Sequence, residues 1–111
     1  MQPASQNLTG KLVRPDAIRV TGKDAGRFRL KSGDTPEQHF PRAAKKEGWE
    51  AVVSVDLLLN ERGEVLEAQI IRESPSGLGF GLAALDTAKT FVYENPLKKL
   101  VLMSIDITFL P

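Results

Sequence analysis

Cysteine is absent from this 111-residue chain. That excludes disulfides, thiol nucleophiles and thiolate metal sites together. Histidine occurs once, as His39, and tryptophan and tyrosine once each. A catalytic imidazole needs a nucleophile or metal and an orienting partner. His39 sits between Gln38 and Phe40-Pro41 with no such company, so it reads as a solvated side chain. No apolar run reaches the length of a membrane span, and no N-terminal targeting segment is legible. The few aromatics exclude a large aromatic-lined pocket. Nucleic acid is excluded on two grounds: aromatics do not interleave with the basic residues, and no DNA-reading motif is present.

The net charge of +1 conceals an asymmetry. Residues 1–35 hold seven Lys/Arg against three Asp/Glu, and residues 36–111 hold eight against eleven. A basic arm therefore precedes a mildly acidic domain, dividing the chain at residue 35. The arm is read as a solvated linker, with contact to an anionic surface as the sharper alternative. Met1–Gly10 is polar, unpatterned and read as disordered. Ile18 and Val20 alternate with Arg19, and Phe28 and Leu30 with Arg27, Arg29 and Lys31. These two stretches form either a small extra hairpin docked on the domain or part of a disordered arm.

The organising stretch is residues 49–72. Ala51, Val53, Val55, Leu57 and Leu59 recur at period two, Asn60-Glu61-Arg62-Gly63 supplies a turn, and Leu66, Ala68 and Ile70 return on one face. Ahead of it, Thr35 caps a helix with Pro36 at its first position, or Phe40 is an extended anchor and Pro41 opens a short helix through Glu47, closed by Gly48. Behind it, a helix starts at Ser76 or Gly77 and runs to Tyr93, stopped by Asn95-Pro96, with Leu78, Leu82, Leu85 and Ala88/Val92 as its apolar stripe. Residues 101–110 read as a long half-buried strand: Val101, Met103, Ile105, Ile107 and Phe109 alternate with Leu102, Ser104, Asp106 and Thr108. Phe91 is expected in the core with Leu82, Leu85, Val53, Val55, Ile70, Ile105 and Ile107.

No enzyme signature survives inspection. Gly77, Gly79 and Gly81 are mis-spaced for a dinucleotide fingerprint and follow a hairpin strand rather than a parallel unit. Glu61, Glu64, Glu67 and Glu73 read as a solubilising face. No cofactor and no metal are expected. What remains is the sheet: an edge strand offers unpaired N–H and C=O groups, and a partner peptide can use them by adding a strand. The residues alone thus favour a peptide-binding adaptor.

The order of four segments carries a resemblance. Phe40-Pro41-x-x-Ala44, the strand Ala51–Leu59, Gly63-x-Val65, and Phe91-Val92-Tyr93-Glu94-Asn95-Pro96 before the last strand resemble the C-terminal domain of the TonB family. Phe91 stands where that family usually carries Trp, and Ala51 where it usually carries Gly. The resemblance implies an α+β fold: a three-stranded antiparallel sheet with two helices packed on one face. It implies a non-enzymatic periplasmic adaptor in a Gram-negative envelope, held by an inner-membrane anchor and linker beyond this chain. Such a domain binds the TonB box of an outer-membrane transporter and transmits force from a proton-driven ExbB/ExbD-like motor. A TolA-like or other envelope machine, or a self-associating homodimer, are the competing roles. The family strand order leaves the second and last strands as edges, and the second is charged. The partner site is therefore expected along Val101, Leu102, Met103, Ser104, Ile105, Asp106, Ile107 and Thr108, supplemented by Gln38, His39 and Phe40.

Overall fold

The computed structural model describes residues 10–111, so the reading of the first nine residues lies outside what it describes. The hairpin expected at the centre is there, as β3 (Ala51–Leu59) and β4 (Val65–Ser74). The inward residues Val53, Val55, Leu57 and Leu59 are fully buried, as alternate positions of a half-covered strand must be. Asn60 ties the turn: its Oδ1 accepts the amides of Arg62 and Glu64, each at 2.9 Å.

Leu66 departs from the pattern and is 53% exposed. The pairing shifts between Leu58 and Leu59, so that Val65 faces Leu59 while Glu67 faces Leu58. The extra residue, Leu66, is pushed out of register, which is what a β-bulge does. A second shift between Ser54 and Val55 does the same to Ile71.

The long last strand, β6 (Val101–Phe109), pairs antiparallel with β3 over all nine residues. The expectation of a three-stranded sheet is corrected. A two-residue strand β1 (Ile18–Arg19) joins the free side of β6 in parallel, giving the order β1-β6-β3-β4. A separate ribbon pairs β2 (Arg29–Ser32) with β5 (Val92–Glu94). The small extra hairpin is also corrected, because its two halves go to different sheets. Residues between them close into the single-turn helix α1 (Gly22–Ala25), and Val20 and Phe28 enter the core instead of facing each other.

Both readings of residues 35–48 have a counterpart. Pro36–His39 forms a 3-10 turn, started by the Thr35 amide donating to Gln38 Oε1 at 2.7 Å. Phe40 is then extended, and α2 (Arg42–Lys46) follows Pro41.

The helix after the hairpin is shorter than expected. It is α3 (Phe80–Ala88), and the stretch read as its end becomes β5. Its face differs too: Leu82 is 70% exposed, whereas Phe80, Ala83, Ala84, Thr87 and Ala88 are buried. Phe80 sets this rotation. Its ring lies 5.5 Å from Phe40 and 5.2 Å from Phe109, completing a three-ring cluster. The alanines let the helix approach β3 and β4 closely. Gly81 has the same role, since a Cβ there would fall 2.8 Å from Ile70 Cδ1. Phe91 is buried as expected, edge-on to Tyr93 at 6.0 Å.

Candidate functional site

The candidate site is the open side of β6. Along a strand, successive residues direct their backbone groups to opposite sides. The Leu100 and Leu102 carbonyls accept the Ile18 and Val20 amides, both at 2.9 Å. Even-numbered residues of β6 therefore present N–H and C=O away from β3, and odd-numbered ones bond to β3. After Val20 the chain turns off into α1. Among the described residues no strand lies beside Ser104, Asp106 and Thr108, whose main-chain groups stay open.

Side chains on this stretch divide by face. Val101, Met103 and Ile107 are buried on the core side of the sheet and Ile105 is half-buried. Ser104, Asp106 and Thr108 are exposed on the opposite face, and Leu102, on that same face, is buried. Asp106 accepts a hydrogen bond from Ser54 Oγ at 2.6 Å. The supplementary residues are placed at the Phe109 end, where the 3-10 turn meets β6. Phe40 there is a core side chain, 5.8 Å from the Phe109 ring. His39 Nε2 pairs with the Asp34 carboxylate at 2.8 Å, and Gln38 is engaged with Thr35.

Asp56 lies one strand in from the open edge, on the face away from the helices, and is fully buried. Its carboxylate is surrounded by donors. Arg19 approaches it with both terminal nitrogens, Nη2 at 2.8 Å from Oδ2. The Leu12 amide donates to Oδ2 at 2.7 Å and Ser104 Oγ to Oδ1 at 2.9 Å. Burial alone pushes this carboxyl up, but Arg19, the Leu12 amide and Ser104 outweigh it and hold the group below its ordinary range. Sequence reading missed this cluster. The available signals were an Asp amid apolar strand residues and a lone Arg between Ile18 and Val20.

The other edge of the sheet is β4, two of whose carboxylates are engaged. Glu67 receives Arg14 at 3.3 Å. Glu73 is not a solubilising charge, because its carboxylate accepts the Gly81 amide at 2.9 Å, at the start of α3. Neither of two surface hollows brings an acid/base pair together. One, of about 230 Å³, lies between Glu50, Val52, Pro75, Thr108 and Leu110, and the other, of about 290 Å³, beside Trp49 and Leu78. Among the described residues no group of His, Asp or Glu is arranged to hold a metal, and no helix is long and apolar enough to cross a membrane.

The Gly-x-Val motif acquires a physical reason in this fold. Gly63 has φ +83°, and its carbonyl accepts the Tyr93 amide at 2.9 Å. A Cβ there would lie 1.7 Å from the Tyr93 carbonyl oxygen. The hairpin turn and β5 can touch only because residue 63 has no side chain.

No match to the chain was found among curated proteins. Among solved structures, the chain is similar to a solution NMR structure of the Pseudomonas aeruginosa TonB C-terminal domain. The TM-score is 0.57 at 18% identity, over 82% of this chain and 90% of that one, a likeness of fold. The family model described as Gram-negative bacterial TonB protein C-terminal matches residues 36–110. The chain belongs to the family of TonB protein C-terminal domains.

Proposed function

We propose that this TonB-like periplasmic domain binds an extended peptide of an outer-membrane transporter by strand addition to β6. The family is non-enzymatic and implies interaction with such transporters. The observation that carries the finer reading is the open main chain of Ser104, Asp106 and Thr108 beside a strand that already accepts β1. A guest continuing from where β1 departs meets three N–H and three C=O groups in one line. At about 1 kcal/mol net for each bond, these fall short of the roughly 8 kcal/mol that a micromolar complex needs. Side chains must supply the remainder, and Ser104, Asp106 and Thr108 are the exposed ones beside the guest. The peptide in this reading is the TonB box. An inner-membrane anchor and an ExbB/ExbD-like motor load the domain through sequence outside this chain. The nine-residue pairing of β6 with the central β3 suits that load, since it ties the guest's own neighbour to the core.

Removing one outward donor tests the site. Proline is tolerated on an edge strand where its nitrogen faces solvent, so Asp106→Pro retains the fold. It should weaken binding of a synthetic transporter N-terminal peptide at least tenfold, while Asp106→Ala changes it only a few-fold. Equal binding by a folded Asp106→Pro chain refutes the site.

A further inference from the structure

The sheet face away from the helices is covered over one half only. Near the hairpin turn, Asp56, Leu58 and Leu102 point outward and are nevertheless 0%, 0% and 5% exposed. Residues 10–20 lie across this half. Leu12 bonds Asp56, Arg14 reaches Glu67, and Ile18 and Val20 bond the edge of β6. At the other end Val52 is 43% exposed, and Asp106 and Thr108 are open.

The covering segment is held unevenly. Val13 is 56% and Ile18 42% exposed, so little apolar area fixes residues 10–19. Their attachments are mostly polar: the Arg19 and Leu12 bonds to Asp56, the Arg14 contact with Glu67, and a two-residue ladder. From Val20 onward the chain is anchored, with Val20 and Phe28 at 4% and 8% exposure. Elements with few apolar contacts open before the core does. Opening here has a specific consequence. It frees the Leu100 carbonyl that accepts the Ile18 amide, uncovers Leu58 and Leu102, and leaves the Asp56 carboxylate without its cation, while the Val20 amide stays on the Leu102 carbonyl.

We infer that residues 10–19 are a displaceable strap over the first part of the partner-binding edge, and that the partner best able to replace it is an extended peptide carrying a guanidinium. This rests on the β6 reading above and adds a regulation and a selectivity to it. The strap shows the chemistry its replacement needs. A strand must pair with Val101 and Leu102, an aliphatic side chain must cover Leu58, and a cation must reach past Ser104 to Asp56. A neutral peptide that displaced the strap would bury an unpaired carboxylate, which is strongly unfavourable. A guest without a cation is therefore confined to Ser104 through Thr108, and one with a cation also gains the part of the edge that Ile18 and Arg19 vacate.

The test uses the full chain and, as probe, a synthetic peptide copying residues 10–19. Binding is followed by amide shifts in the parent and in Arg19→Ala, whose own strap is weakened. The Arg19→Ala chain should bind the peptide at least tenfold more tightly than the parent, with shifts at Asp56, Leu102 and Ser104. The same peptide with Arg19→Ala should lose that advantage. Equal binding by the two chains, or binding by neither, overturns the inference. A second measurement needs no variant. In the parent, the Leu12 and Ile18 amides should exchange by local opening, well ahead of the β3 amides. Exchange of all of them together, only on global unfolding, also overturns it. A transporter peptide that protects Ser104 to Thr108 in a chain whose strap opens only globally would leave the binding site standing and remove the strap.

Discussion

Replacing Gly63 by alanine should be among the most damaging single-methyl additions in the molecule. Two costs combine. Alanine at φ +83° carries a left-handed penalty of about 1–2 kcal/mol. Its Cβ would also stand 1.7 Å from the Tyr93 carbonyl oxygen. That atom is backbone, so β5 has to move off the turn by roughly 2 Å to reach ordinary contact distance. The move breaks the Tyr93-to-Gly63 hydrogen bond and the Glu64–Val92 bridge, at about 1 kcal/mol each. It also loosens Phe91 and Tyr93, now 6% and 7% exposed. The total is about 3–5 kcal/mol, a large share of a domain's usual 5–15. Thermal unfolding followed by circular dichroism should show the midpoint falling by about 4–8 °C for each kcal/mol lost. Gly63→Asn separates the terms, because Asn tolerates the left-handed region yet brings the same Cβ. It should recover only a minor part of the loss. A Gly63→Ala chain within 1 kcal/mol of the parent would refute the close-approach argument.

Other perturbations have equally definite outcomes. Phe91→Ala should cost about 3–5 kcal/mol in denaturant unfolding, as truncation of a buried Phe does. Leu82→Gln should stay within about 0.5 kcal/mol of the parent, because the side chain faces solvent. The Asp56 carboxyl is held below its unfolded value, so its contribution is fully present above that value of about 3.9 and is lost as pH falls through the lower folded one. Unfolding free energies between pH 2 and 6 should therefore fall on acidification, and Asp56→Asn should remove that part of the slope.

What the sequence disclosed follows from which physical signals are local. Period two placed Val53, Val55, Leu57 and Leu59 inside, because alternation needs no knowledge of distant residues. The same logic failed at Leu66, since a bulge shifts parity without a sequence mark. Helical spacing failed at Leu82, because the buried face of α3 is set by where Phe80 meets Phe40 and Phe109. Those rings come from three separate stretches of the chain. Residues 10–35 were the least legible. Their apolar residues are few, and they pair with β6 and β5 rather than with each other. The candidate edge rests on the strand order that the family resemblance implies and on the charge of the second strand. Its parity became legible only with β1 in place, and the Arg19–Asp56 pair joins residues 37 positions apart.

Amide protection on peptide addition tests the binding edge most directly. The amides of Ile105 and Ile107 face β3 and should be slow with or without the peptide. Those of Ser104, Asp106 and Thr108 face outward and should slow only when a transporter N-terminal peptide is bound. Binding accompanied by new protection in Val65–Ser74, with Ser104, Asp106 and Thr108 unchanged, would contradict the assignment of β6 as the partner strand.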